Sequence, residues 1–169
     1  FSTVFILTYN IFHYAPILGY DAEAHNAYVD FVARYLPNKF ILPTSDITRE
    51  FFNPPFGYIF PSIAQVICRN VIESSNFLAD CQPFYGKATQ VLQAILYLIT
   101  IGINLYTLKL FNNSKSLINP SYFLLASLLA VNYRTISMIR GEPYILFFMS
   151  IFMLQILLIE NKNYKLSTL

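Results

Sequence analysis

Three runs of this chain contain no Asp, Glu, Lys or Arg over lengths that match a lipid bilayer: Ala88 to Leu108, Leu117 to Tyr133 and Pro143 to Ile159. A hydrocarbon core of roughly 30 Å takes about 20 residues of α-helix, and the two shorter runs reach across it with their flanking residues at the headgroups. Such runs have few alternative folds, because within lipid every backbone N–H and C=O must be bonded inside the segment. They predict three transmembrane helices. Composition agrees, with 56% hydrophobic and only 12% charged residues, well outside the balance of a water-soluble domain. A net charge of +2 without a basic stripe or a nucleic-acid motif removes nucleic acid from the expected partners.

The chain opens at Phe1 inside a further apolar run, with no initiator Met and no basic region ahead of it. Residues 1–17 are therefore expected to be the end of a first transmembrane helix, stopped by Pro16 and Gly19, in a protein truncated at both ends. Residues 18–87 differ in character and form one large extramembrane loop, and residues 88–169 hold the three spans with short loops between them. Inside the large loop, Ala22 to Leu36 sets Ala24, Tyr28, Phe31 and Tyr35 on one helical stripe and Glu23, Asn26, Asp30 and Arg34 on the other. Phe56 to Glu73 does the same, with Ser62, Gln65, Arg69 and Glu73 on its polar stripe. Both read as amphipathic helices lying on a membrane surface, polar side to water. The expected class is thus an all-α, multi-pass integral membrane protein whose long outer loop carries interfacial helices. Cys68 and Cys81 pair if that loop faces an oxidising compartment; otherwise Cys68 packs in the apolar face of its helix. Asn112, Asn113 and Ser114 form an N-x-S pattern that falls on the cytosolic side of this topology.

No CxxC pair, HExxH, Gly-rich phosphate loop or GxSxG elbow is present, which leaves carboxylates at membrane level as the chemical candidates. Asp21 directly follows the first span, with His25 one helical turn later. An Asp in that place is also a common N-cap, worth about 1 kcal/mol. Glu50 stands ahead of Pro54 and Pro55, where the bland reading is a solvated loop charge. Arg140, Gly141, Glu142 and Pro143 make a tight turn that leaves an acid at the bilayer edge, a place where charges tend to be functional; its bland reading is an Arg140–Glu142 surface pair. Lys87 heads the Ala88 span, as a snorkelling anchor or as a phosphate ligand.

Taken together, Tyr20, Asp21, Ala22, Glu23, Ala24 and His25, then Tyr28 and Pro37, then Glu50, Phe51, Phe52, Asn53, Pro54, Pro55, Phe56, Gly57 and Tyr58 resemble the first outer loop of GT-C superfamily glycosyltransferases. The similarity is to the protein mannosyltransferase and aminoarabinose transferase-like enzymes, which use polyprenyl-phosphate sugars. The resemblance covers most of the chain in its order of span, long loop, spans and short acidic loop. It implies that Asp21 is the catalytic carboxylate and that Glu142 belongs to the same site. It also implies that Lys87 is a basic residue for the lipid phosphate, with His25, Glu50 and Arg140 on the substrate, and that the large loop and the Arg140 turn share the non-cytosolic face. Asn53 departs from the family pattern, which often places a basic residue beside the Pro-Pro pair.

The implied reaction needs a carboxylate to deprotonate or orient an acceptor hydroxyl and a cation or amide donors to stabilise the departing lipid phosphate. An all-carboxylate site would suit a hard divalent cation such as Mg2+ or Mn2+, and the sequence leaves the cofactor unknown. The alternatives from other classes are a non-catalytic polytopic subunit and a transporter fragment, the latter expected to carry broken or charged spans. The expected partners are membrane lipid and a polyprenyl-phosphate-linked sugar donor, and the piece alone is expected to be inactive.

Overall fold

The computed structural model describes residues 2–16, 19, 21–71, 77–111 and 139–167. Every regular element among them is an α-helix: α1 (Ser2–His13), α2 (Ala22–Tyr35), α3 (Phe56–Val71), α4 (Phe77–Phe111) and α5 (Glu142–Ser167). The expected span from Leu117 to Tyr133 and the N-x-S pattern lie outside the described residues.

Two of these helices are long and apolar enough to cross a membrane, over Cys81–Leu110 of α4 and Glu142–Ile159 of α5. Only 28% of the apolar window in the first and 17% of that in the second is buried within the protein. The core helix of a water-soluble domain would be mostly covered instead. Along α4 the polar residues Thr89, Gln90, Gln93 and Thr100 face inward, while Val91, Ile95, Leu98, Ile99 and Tyr106 are exposed. Its inward face meets α1 through Leu7, Ala94, Tyr97 and Ile101.

At 35 residues, α4 is roughly 50 Å long at 1.5 Å per residue, far more than a hydrocarbon core needs. The helix therefore does not begin where the apolar run begins at Ala88. Its first turns belong instead to a core shared with α2 and α3, made of Tyr28, Val29, Val32, Tyr58, Ala64, Cys68, Cys81, Tyr85 and Ile139. Cys68 of α3 and Cys81 of α4 form a disulfide across this core, with their Cα atoms 5.9 Å apart. Closing a loop of this size typically stabilises by about 3 kcal/mol. Tyr28 and Tyr58 stack at 3.8 Å between ring centroids, which adds to the α2–α3 contact.

The orientation of both amphipathic helices differs from expectation. On α3 the polar residues Ser62 and Gln65 are fully buried against α2. Ser62 Oγ donates to the Val29 carbonyl at 3.2 Å, and Gln65 Nε2 donates to Asp30 Oδ1. The exposed side is apolar, a continuous stripe of Phe56, Phe60, Ile63, Ile67 and Val71 that is 37% to 77% exposed. On α2 the stripe assigned to water is split. Glu23 is exposed, but Asn26 is buried and accepts from Tyr85 Oη at 3.3 Å. Asp30, also assigned to water, faces α3, whereas Phe31 and Tyr35 are only half-buried. The physical reason is that helix-to-helix hydrogen bonds from Ser62, Gln65 and Tyr85 draw polar groups inward, and the apolar face of α3 is the one left outward.

Burial pushes the Asp30 carboxyl above its ordinary range, against the smaller opposing effects of the Gln65 bond and of Arg69 and Arg34. A carboxyl whose folded pKa is raised binds more protons folded than unfolded, so its contribution to stability is fully present at acidic pH and is lost as pH rises through the folded value. Asp30→Asn keeps an acceptor for Gln65 and removes the desolvated charge. The variant should melt higher than the parent at pH 7, with the gap closing toward pH 4, as followed by thermal unfolding in detergent at fixed ionic strength.

Candidate functional site

The site begins with a close approach of two backbones. A Cβ placed on Gly57, in the first turn of α3, would lie 2.9 Å from Gly141 Cα and 3.1 Å from the Arg140 carbonyl oxygen. Only glycine lets α3 seat directly on the turn that starts α5. Gln93 Nε2 of α4 holds that turn from the other side, donating to the Arg140 carbonyl at 3.1 Å. The turn carrying Glu142 is thereby pinned beside the start of α2 and the Glu50–Pro54 segment.

The result is a cavity of about 230 Å3 lined by Asp21, His25, Glu50, Asn53, Pro54, Arg140, Gly141, Glu142 and Ile145. Five of the six residues singled out from sequence meet here. Lys87 does not: its ammonium bonds to the Ile11 carbonyl and, at 2.8 Å, to that of Tyr14. There it caps the C-terminal carbonyls of α1, where a cation is favoured by the helix dipole. A larger, more open hollow of about 340 Å3 lies along α2 against the 44–49 turn, lined by Glu23, Ala24, Ala27, Ile47, Thr48 and Arg49, and takes in none of these candidates.

Asp21 is the residue before α2, yet its side chain makes no capping bond. The carboxylate turns outward to Arg49, whose Nη2 donates to Asp21 Oδ1 at 2.7 Å. With the Arg49 side chain 55% exposed, this pair contributes only about 0–1 kcal/mol to stability. Arg49 Nε also lies 3.9 Å from Glu50 Oε1. On the opposite wall Arg140 Nη1 bonds Glu142 Oε1 at 3.1 Å, the surface pair named as the bland reading. The same guanidinium has a buried Nε that bonds to nothing among the described residues. Glu142 sits in the first turn of α5, where a negative charge is stabilised by the helix dipole.

Behind these charges runs a polar chain that becomes buried toward His25 and Tyr58. Asn53 Nδ2 donates to Glu50 Oε2 at 2.5 Å and to Tyr58 Oη at 2.9 Å, and Tyr58 Oη lies 2.7 Å from His25 Nδ1. Thr48 braces it, its Oγ1 donating to the Ala24 carbonyl at 2.8 Å and accepting from the Glu50 N–H at 3.2 Å. Burial lowers the His25 pKa, the strongest single influence on it, ahead of the charges of Glu50, Arg140, Glu142 and Asp21. Burial likewise pushes the Tyr58 phenol far above its usual value. Both groups are therefore neutral near pH 7.

Arg49 and Tyr58 are the residues that sequence reasoning did not assign. Arg49 was legible as a cation next to Glu50, whereas nothing in the spacing of Tyr58 distinguishes it from a packing aromatic. Among the described residues no three His, Cys, Asp or Glu side chains group closely enough to hold a metal ion. No protein-family model, characterised protein or solved structure matches the chain.

The seat of α3 on the turn gives a direct test. Gly57→Ala should destabilise by about 1–3 kcal/mol through overpacking. Gly102→Ala, at a helical position where an added Cβ meets nothing within 4 Å, should stabilise by about 0.5–1 kcal/mol. Paired thermal melts of the two variants against the parent measure both.

Proposed function

We propose that the protein is a multi-pass integral membrane glycosyltransferase that moves a sugar from a polyprenyl-phosphate donor to an acceptor hydroxyl or amine on the non-cytosolic face. The observation that carries this reading is the convergence of Asp21, Glu50 and Glu142 with His25 and Arg140 on one cavity, at the end of α5 where its apolar run starts. Carboxylates, a guanidinium and neutral donors around one small space at the bilayer edge suit a substrate with a sugar, a phosphate and a lipid tail.

In this reading Asp21 accepts the proton of the acceptor hydroxyl as its oxygen attacks the sugar C1. The bond from C1 to the phosphate oxygen breaks, and polyprenyl phosphate leaves with that electron pair. Arg140 is better placed than Lys87 to meet the leaving phosphate, since its side chain belongs to the cavity lining while the Lys87 ammonium is held by the Ile11 and Tyr14 carbonyls. Glu142 holds Arg140 and orients the acceptor. Interactions aimed at developing charge in a site partly shielded from water are the large term in such a reaction. The outward apolar stripe of α3 supports its lying along the bilayer surface, beside Phe148 of α5, whose ring centroid is 5.7 Å from that of Phe56. The Cys68–Cys81 disulfide supports the non-cytosolic placement of α3 and of the outer end of α4, because disulfides persist in oxidising compartments.

Two outcomes test this reading. Asp21 makes no capping bond, so Asp21→Asn leaves the helix start intact while removing the base; in the intact protein, transfer of sugar from polyprenyl phosphate should fall on the order of 100-fold. Arg49→Gln breaks the same ion pair but keeps the carboxylate and should lose far less. Equal losses in the two variants would mean that Asp21 serves only to pair with Arg49. For topology, Asp46→Cys and Gly141→Cys each supply a new thiol while Cys68 and Cys81 stay bonded. Both should react with a membrane-impermeant maleimide added from the non-cytosolic side, and modification of only one would break the common placement of loop and turn.

A further inference from the structure

The hydrogen-bond chain behind the cavity fixes where protons sit as well as where rings lie. An ionised Glu50 carboxylate can only accept, so the Asn53 atom 2.5 Å from Glu50 Oε2 is the amide nitrogen. The second hydrogen of that nitrogen is directed at Tyr58 Oη, 2.9 Å away. Tyr58 Oη therefore accepts from Asn53 and still carries its own proton. Its side chain is fully buried, and the remaining partner of the hydroxyl is His25 Nδ1 at 2.7 Å. If Nδ1 bore a hydrogen, it would donate to the phenol and leave the phenolic hydrogen pointing into packed protein. A buried donor without a partner is strongly disfavoured. With Nδ1 unprotonated, each bond of the chain joins one hydrogen to one acceptor, and the phenolic hydrogen has its partner. Burial, which favours the uncharged imidazole, acts in the same direction.

We propose that Tyr58 locks His25 as the neutral tautomer protonated on Nε2, so that the imidazole offers the cavity a fixed N–H donor for a ligand oxygen instead of a base. Asn53 and Tyr58 are then positioning residues, each acting through the next, and proton acceptance is left to the carboxylates. The tautomer follows from the bonds of the free protein. The donor role toward an oxygen of the leaving phosphate rests on the reading of this cavity as a glycosyl-transfer site.

Nitrogen NMR of the intact protein labelled with 15N-histidine separates the two. The His25 ring signals are identified by their loss in His25→Gln. At pH 7 the wild type should show an unprotonated Nδ1 and a protonated Nε2. In Tyr58→Phe the two tautomers should mix. A wild-type ring protonated on Nδ1, or on both nitrogens, overturns the lock whether or not the variant folds. Geranylgeranyl phosphate, added as a probe of the leaving group, should then shift the Nε2 proton to lower field. Saturable binding of that lipid with no change at His25 overturns the donor role and leaves the transfer reading intact. Absence of binding, with the tautomer as described, counts against the transfer reading and with it the donor role, while the lock stands.

Discussion

The cavity exists because the backbone at Gly57 and the backbone at Gly141 are in van der Waals contact. Eighty-four positions separate them (141 − 57), and each brings a different half of the site. Gly57 comes with the Glu50–Pro55 approach to α3, which delivers Glu50, Asn53 and, one residue on, Tyr58. Gly141 comes with Arg140 and Glu142. A side chain at position 57 would separate the halves and open the wall between the two sets of charges. The remaining devices hold this contact in register: Gln93 grips the Arg140 carbonyl, and the disulfide fixes α3 to α4, from which Gln93 projects.

Several polar side chains of α2, α3 and α4 bond across helix interfaces, and the outward stripe of α3 is apolar. On α3 the polar face bonds inward from Ser62 to Val29 and from Gln65 to Asp30, and on α4 Gln93 Nε2 does so toward the turn, while the side-chain oxygens of Gln65 and Gln93 stay buried with no partner among the described residues. A buried amide or hydroxyl without a partner is costly, so once α2 and α3 bond to each other the apolar stripe of α3 is what remains to face outward. Arg49 and Arg140 follow the same logic near the cavity, each beside a carboxylate.

Much of the helical architecture was legible in the sequence, and less of its orientation. Ala22 to Leu36 and Phe56 to Glu73 anticipate α2 and α3 to within two residues at each end, because Pro-rich and polar punctuation marks helix ends well. The convergence of Asp21, His25, Arg140 and Glu142 was also within reach, since each sits within about a turn of a helix start, and Glu50 joins them from the loop ahead of Pro54 and Pro55. Asn26 and Asp30 were misplaced because amphipathic periodicity reports which face is polar and not what that face meets. Lys87 was misplaced for a related reason: its neighbours in sequence are those of a span head, and the α1 carbonyls that hold it are more than seventy positions away. Tyr58 was missed as a functional group because a buried tyrosine gains importance only through its partners, none of which is adjacent in the chain.

Chain order gives the α2–α3–α4 corner a temporal meaning. Apart from Ile139, every residue of that core, both cysteines, and the whole chain from Glu50 through Asn53 and Tyr58 to His25 precede Gly86. During synthesis from the N-terminus these parts are all available before Arg140 and Glu142 have been made. The corner is thus a socket that can be finished first, and completing the site is reduced to one late docking event. That event is the arrival of a single short turn on a bare glycine, with no side chain to clear out of its path.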